Sequence, residues 1–344
     1  MLRKLRLMLL PVSWLYGFGV WFRNGLYTSG VLKRYRIPGK SIVVGNLSTG
    51  GTGKSPMVDL LIQQILELNQ PVATLSRGYG RSTHGLLEVT QKSTAKQVGD
   101  EPLMYKQKHG DQITSVVAEK RAEGVKWIRK NTPENTVILL DDAFQHLAVK
   151  AGLNILVTPF DDLYSNDFIL PAGNLREWRA GRKRADIVMV SKCPDNLDKA
   201  TMESVRRKLR FPEDRIFFSS IQYGTPVSFT EKKVAPISDV LIVTGIGNPS
   251  PFIRFWSQQA KCTHLSFPDH HSFTAADITK IHEKFDTFAS CERAIVTTEK
   301  DRMRLKEFKE VFDDKYPWYF QPIELNIIDR AAFNEFVNGY LNEV

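Results

Sequence analysis

The chain has 344 residues, of which 42% are hydrophobic and 25% charged, and it shows no repeat or low-complexity tract, so it is an ordinary globular composition long enough to favour two domains. Its net charge of +9 and pI near 9.3 point to an anionic partner, whether nucleic acid, an acidic membrane surface or a phosphorylated substrate. Cys193, Cys262 and Cys291 are far apart and lack metal-ligand spacing, which excludes a disulfide framework and reads as reduced thiols.

Leu7 to Phe22 is apolar apart from Ser13 and carries Trp14, Tyr16, Phe18, Trp21 and Phe22 between Arg3, Lys4, Arg6 and Arg23. With Pro11, Gly17 and Gly19 inside it, the stretch falls short of the roughly 20 residues that a spanning helix needs. No small-residue cleavage site follows, as a signal peptide would require. A buried core helix is one reading. Aromatic enrichment with basic flanks, continuing to Lys33, Arg34 and Arg36, favours the other: residues 1–35 as an amphipathic helix lying in the membrane interface against anionic head groups.

Ser41 to Pro56, S-I-V-V-G-N-L-S-T-G-G-T-G-K-S-P, reads as strand, phosphate loop and helix. Ile42, Val43 and Val44 form the strand, and Met57, Leu60, Leu61, Ile65 and Leu68 recur at helical spacing, with Pro56 tolerated in the first turn. A P-loop needs glycines so that backbone N–H groups close around phosphate oxygens, a lysine for the β- and γ-phosphates, and a hydroxyl for Mg²⁺. Gly50, Gly51, Thr52 and Gly53 supply the loop, Lys54 the ammonium and Ser55 the hydroxyl, although Ser48 stands where the generic pattern has its first glycine. A glycine-rich turn that binds nothing would not require Lys-Ser at this spot.

Val72 to Leu75 is a second strand, running into Ser76-Arg77-Gly78-Tyr79-Gly80-Arg81, a loop that suits an anion or sugar as well as it suits a solvated turn. Gly99-Asp100-Glu101-Pro102 reads as a turn capping a helix over Leu103 to Lys108. Ile113 to Val117 is a strand and Arg121 to Lys130 a helix. Val137 to Leu140 then ends in Asp141-Asp142, which in a parallel sheet delivers carboxylates to the edge where the P-loop also lies, a Walker-B-like signal. Ala143-Phe144-Gln145-His146 continues from it. Strands at Leu153 to Val157 and Ile187 to Val190 flank a polar loop from Pro171 to Glu177, basic through Arg184, of the kind that is more often functional than idle. Ser191 to Asp195 reads as a strand end and turn, Ile216 to Ile221 as the last strand of this domain, and Tyr223 to Pro236 as a linker carrying Lys232 and Lys233.

A second alternation follows: strand Val240 to Thr244, helix Phe252 to Ala260, strand His264 to Phe267, helix Ala275 to Phe288, strands Ala294 to Thr297 and Tyr319 to Leu325, and helix Arg330 to Leu341. Strands alternating with helices imply parallel α/β sheets. Gly245-x-Gly247 lacks the third glycine of a dinucleotide fingerprint. Pro268 to Phe273 places His270 and His271 at a strand's carboxyl end, without further ligands at metal spacing. The expected fold class is therefore α/β: a P-loop NTPase-type parallel-sheet domain at 36–222, a linker at 223–236 and a smaller α/β domain at 237–344.

Taken together, V-V-G-N-L-S-T-G-G-T-G-K-S-P, L-S-R-G-Y-G-R, G-D-E-P, L-L-D-D-A-F-Q-H, P-A-G-N-L-R-E, F-P-D-H-H-S-F and T-T-E-K-D, in this order from residue 1 to about 301, resemble the tetraacyldisaccharide 4'-kinase family of lipid A biosynthesis. The resemblance implies ATP- and Mg²⁺-dependent transfer of the γ-phosphoryl group to the 4'-hydroxyl of a tetraacylated glucosamine disaccharide 1-phosphate, at the cytoplasmic face of the bacterial inner membrane. It also implies an active site in a cleft between two α/β domains, with the acylated lipid and the membrane surface as partners and no nucleic acid. Members usually have Gly and Thr where this chain has Ala143 and Ser55. By the family's motifs Asp100 is the base on the sugar hydroxyl and His270 its partner from the other domain; Asp141 or Asp142 joins Ser55 at Mg²⁺. Arg77, Tyr79, Arg121, His146 and Arg176 are candidates for γ-phosphate, sugar or 1-phosphate contacts. A membrane-associated nucleotide-switch ATPase or GTPase is the alternative, but it leaves the histidine loop, the arginine loops and the amphipathic start without a common use.

Overall fold

The alternation of apolar runs with helical repeats builds two mostly parallel sheets and a two-stranded ribbon. In chain order the strands are β1 (Tyr35–Arg36), β2 (Ser41–Gly45), β3 (Val72–Ser76), β4 (Leu87–Val89), β5 (Ile113–Val117), β6 (Val137–Asp141), β7 (Val149–Lys150), β8 (Leu153–Pro159), β9 (Ile187–Ser191), β10 (Ile216–Tyr223), β11 (Val227–Ser228), β12 (Asp239–Thr244), β13 (Lys261–Ser266), β14 (Arg293–Thr298), β15 (Trp318–Gln321) and β16 (Ile323–Ile327). The structure, a computed structural model, describes residues 6–230 and 236–343; Arg3 and Lys4 of the basic start and Lys232 and Lys233 of the expected linker lie outside them.

The larger sheet has the order β16-β10-β9-β8-β2-β6-β3-β5-β4, antiparallel only at its two edges. Every residue of β2 is buried, because helices cover both faces and successive side chains point to opposite ones. Ile42 and Val44 join Met57, Leu61 and Ile65 of the helix Lys54–Glu67 on one face. Val43 joins Ile138, Leu140 and Val188 on the other. Since β2 lies between β6 and β8, the carboxyl ends of β2, β6 and β3 open side by side, which is where a parallel sheet places its ligands. The smaller sheet, β11-β15-β14-β12-β13, is parallel apart from β11 and carries its own apolar layers, including Phe285, Trp318 and Ile281 on one side and Phe252 and Trp256 on the other.

The strand expected at Tyr319 to Leu325 is two strands in different sheets. Pro322 ends β15, and β16 crosses to pair antiparallel with β10, burying Leu325 and Ile327. The closing helix Arg330–Asn342 follows it, so Phe333, Val337 and Leu341 belong to the larger sheet's core rather than to the smaller unit expected at 237–344. Helices over Lys199–Leu209 and Glu299–Leu305 were not anticipated. The first is largely polar and buries only Val205 and Leu209, and the second is a short turn set by the Thr298 cap.

The N-terminal stretch forms the helix Leu10–Thr28, and its exposure overturns the core-helix reading. Leu15, Trp14 and Phe18 are 75%, 67% and 62% exposed, while only Ser13 and Gly17 are buried. Those two small residues form the seam against the protein. Ser13 Oγ accepts from Ala172 N at 2.9 Å and Gly17 O from Trp178 Nε1 at 2.8 Å. A Cβ on Gly17 would stand 2.4 Å from the Trp178 ring, so glycine is what lets the helix seat. No helix among the described residues is long and apolar enough to cross a membrane.

Phe333 is fully buried and meets the Phe217 ring edge-on at 5.4 Å, so Phe333→Ala is expected to cost about 3–5 kcal/mol by urea unfolding. An unchanged midpoint would contradict the placement of the closing helix on the larger sheet.

Candidate active site

The phosphate loop leaves β2 at Gly45 and enters the helix at Lys54. Gly53, the N-cap, has φ +91°, and a Cβ there would also press against Ser191 at 3.1 Å, so the tight entry depends on glycine. Neighbouring strand ends hold the loop from behind. Asn46 Nδ2 donates to Thr52 Oγ1 at 2.8 Å, Ser191 Oγ to Thr52 O at 2.6 Å and Lys192 Nζ to Gly51 O at 2.6 Å. The 171–177 loop clamps its start, with Arg176 N donating to Leu47 O at 2.7 Å and Thr49 N to Asn174 O at 2.8 Å.

Beside it, β6 delivers the two aspartates into different surroundings. Asp142, with φ +48°, turns outward to lie 3.6 Å from Lys54 Nζ and accepts both carboxylate bonds from Arg176 Nη1, at 2.9 and 3.0 Å. Burial raises its pKa, but Lys54 and Arg176 outweigh that and hold it below the ordinary carboxylate value. Asp141 is buried and accepts from Tyr105 OH at 3.1 Å through Oδ2, while Oδ1 has no protein partner. Burial first, then the charges of Glu101 and Asp142, push its carboxyl up to about 7 against the pull of Lys54. A buried carboxylate with an orphaned oxygen, beside the Ser55 hydroxyl that Tyr105 also contacts, is a donor set that fits a hard divalent cation completed by phosphate oxygens and water. Among the described residues no three His, Cys, Asp or Glu side chains cluster as a self-sufficient metal cage.

The smaller sheet contributes from across the crevice. His270, at φ +57° in the turn after β13, has its Nδ1 3.0 Å from Asp100 Oδ2, and its ring lies 5.0 Å from that of Tyr79. The turn is anchored from beneath: His270 N donates to Gly245 O at 3.1 Å, and buried Asp301 accepts from Gly245 N at 3.0 Å while pairing with Arg304. Arg304 Nε reaches to 3.5 Å from Asp100 Oδ2.

The match to the tetraacyldisaccharide-1-P 4'-kinase family runs over residues 5–342. The chain belongs to that family. A tetraacyldisaccharide 4'-kinase of Flavobacterium johnsoniae is 40% identical over 98% of each chain, and one of Bacteroides fragilis is 39% identical over 99% of this chain and 94% of its own. Among solved structures, the "apo" form of LpxK from Aquifex aeolicus in complex with ATP is similar with a TM-score of 0.75 and 26% identity, covering 99% of this chain and 100% of that one.

In this tetraacyldisaccharide-1-P 4'-kinase family member, Asp100 lies in the first turn of the helix Asp100–His109, not in a turn before it, with Gly99 as N-cap. Arg121 is buried next to the aspartates. Desolvation lowers its pKa to about 10, although Asp141 and Asp142 pull the other way. His146 is driven down to about 4 by burial and by the charges of Arg121, Arg77 and Arg23, so it faces the same basic surface as a neutral ring. Arg77 and Tyr79 are exposed on the loop after β3. Sequence reading missed Tyr105, Lys192 and Lys300, whose partners lie far away in the chain. The pattern at Ser191 to Asp195 reads as a strand end and turn, although Ser191 and Lys192 both bind the phosphate loop.

Proposed function

We propose that this chain transfers the γ-phosphoryl group of ATP to the 4'-hydroxyl of a tetraacylated glucosamine disaccharide 1-phosphate, a step of lipid A biosynthesis at the cytoplasmic face of the inner membrane. The observation that carries the reading is the Asp100–His270 contact of 3.0 Å, formed between the two sheets beside a P-loop lysine and paired aspartates. A nucleotide switch needs the loop and the acids but has no use for a carboxylate–imidazole pair aimed into the crevice.

Phosphoryl transfer asks for positioning and charge neutralisation more than for covalent chemistry. Loop N–H groups from Gly50 to Lys54 cradle the phosphates, and Lys54, 14% exposed at its side chain, supplies a fixed charge at the γ-phosphate. Ser55, Asp141 and Asp142 would hold Mg²⁺, which when bound neutralises charge developing on the phosphate oxygens. Asp100 accepts the proton of the sugar hydroxyl as its oxygen bonds to the γ-phosphorus and the bond to the β-phosphate oxygen breaks. His270 orients that carboxylate. Arg121, Arg176 and Arg77, with Tyr79 and neutral His146, offer donors to the transferring phosphoryl group, the sugar or the 1-phosphate.

The exposed face of the helix Leu10–Thr28 supports a peripheral seat on the bilayer. Trp14, Phe18, Trp21 and Phe22 project from it while Ser13 and Gly17 face the protein. The acyl chains of the substrate and these aromatics would then share one apolar phase, with the sugar reaching down to the crevice.

The native enzyme, given labelled ATP, Mg²⁺ and the acyl disaccharide 1-phosphate, is expected to yield a product phosphorylated at the 4' position, and Lys54→Ala is expected to yield none. Full turnover by Lys54→Ala would sink the phosphate-loop assignment. The combined variant Trp14→Ser, Phe18→Ser, Trp21→Ser should keep its fold and its ATP binding but no longer co-float with anionic vesicles; undiminished flotation would remove the helix from the membrane seat.

A further inference from the structure

Tyr105 lies in the middle of the helix Asp100–His109 with its side chain fully buried, and its phenol stands where three elements converge. Its OH is 3.1 Å from Oδ2 of Asp141, the last residue of β6, and the same oxygen is hydrogen-bonded to the side chain of Ser55, in the first turn of the phosphate-loop helix. Burial, then the charges of Asp141 and Glu101, push the phenol well above its ordinary pKa, so its proton stays on the oxygen. The ring belongs to the same apolar layer as Met57 and Leu139, a place that phenylalanine would fill without a hydroxyl to satisfy.

Counting protons fixes the direction of both bonds. A carboxylate that ligates a cation is ionised and only accepts, so the phenol donates its single proton to Asp141 Oδ2. Ser55, bonded to the same phenol oxygen, is then the donor to it. The Ser55 proton is thereby turned toward Tyr105, which leaves the lone pairs of its hydroxyl clear. On Asp141 the phenol occupies Oδ2, while Oδ1 accepts from no group among the described residues. One hydroxyl thus leaves two side chains as bare acceptors, which is what a hard cation asks of its oxygen ligands. A serine free to rotate or a carboxylate free to swing would have to be ordered as the cation binds.

We propose that Tyr105 is a positioning residue for the divalent cation, holding Ser55 and Asp141 with their acceptor oxygens clear so that the cation binds to a pre-ordered pair. The inference rests on the kinase reading above for the reaction that the cation serves. Tyr105 stands on the helix whose first turn carries Asp100, so a single ten-residue element orders the cation side of the site and reaches the smaller sheet across the crevice.

The test uses Mn²⁺, which shares the preference of Mg²⁺ for oxygen ligands and is visible by electron paramagnetic resonance. It is titrated into the full chain held in excess over ADP, and bound Mn²⁺ is read from the loss of the free-ion signal. In Tyr105→Phe, which removes one oxygen and keeps the ring, the Kd for Mn²⁺ is expected to rise by about 10–100-fold, as for lost partners of metal ligands, while the Kd for ADP measured in EDTA stays native. The Mg²⁺ concentration for half-maximal turnover should rise in step, with kcat recovering at high Mg²⁺. Tyr105→Leu, which loses the ring as well, should lower the urea midpoint but bind Mn²⁺ as Tyr105→Phe does. A native Mn²⁺ Kd in Tyr105→Phe would overturn the proposal. So would a loss confined to Tyr105→Leu, which would assign the effect to ring packing, or an equal loss of ADP affinity in EDTA, which would assign it to a distorted phosphate loop. A native enzyme inactive on the acyl disaccharide would instead defeat the kinase reading, while the Mn²⁺ constants would still decide the task of Tyr105.

Discussion

One ten-residue helix, Asp100–His109, is the constraint on which the rest of the site depends, because its polar side chains reach the smaller sheet, the end of β6 and the phosphate-loop helix. Its first turn presents Asp100 to His270 and Glu101 to Lys300, both from the smaller sheet's side. Its middle sends Tyr105 OH to Asp141 at the end of β6. Its last turn brings Lys108 and His109 to buried Asp59 on the phosphate-loop helix, at 2.7 and 2.6 Å. Burial alone would raise the Asp59 pKa, but His109 and Lys108 hold it low, so the carboxylate remains ionised inside the protein. Breaking a buried pair by removing one partner leaves an uncompensated charge, which makes such a junction stiff rather than merely sticky. The helix thereby keeps Asp100, the acidic strand end and the phosphate-loop helix in one frame.

The paired aspartates show how position along one strand separates two identical side chains. Asp141 is the last residue of β6 and remains buried, whereas Asp142 adopts positive φ and meets Lys54 and Arg176. One carboxylate therefore has its charge disfavoured and one oxygen unpartnered, while the other is already neutralised by cations. A divalent cation would lie most naturally against the first and be completed by the second, which also links the phosphate-loop lysine to Arg176 of the 171–177 loop. Electrostatic complementarity, more than shape, defines this end of the crevice.

Local pattern carried the site motifs far. The β-branched run before Gly45, the glycines, Lys54 and Ser55 stated strand, loop and helix within a few residues, and the four apolar residues before Asp141 stated a buried strand ending in acid. The outward face of the N-terminal helix followed from its aromatics, but the use of Ser13 and Gly17 as a packing seam needed Trp178, which is about 160 positions away. Contacts of that kind have no sequence period. The same limit hid Lys300 against His270, Lys192 against Gly51, and the return of β16 to the larger sheet, where a single proline decides between one strand and two. Short alternating runs such as Ile323, Leu325 and Ile327 say that a strand forms, not which sheet receives it.

Asp100, on the helix Asp100–His109, and His270, in the turn after β13, are proposed to act as one proton-accepting unit. A double-mutant cycle on kcat tests it most directly: Asp100→Ala is expected to lower kcat by about 10²- to 10⁴-fold with ATP affinity little changed, and adding His270→Ala should lower it hardly further, since residues acting as a unit are non-additive. A double variant showing the full product of the two single losses, or an Asp100→Ala enzyme that turns over normally, would contradict the account.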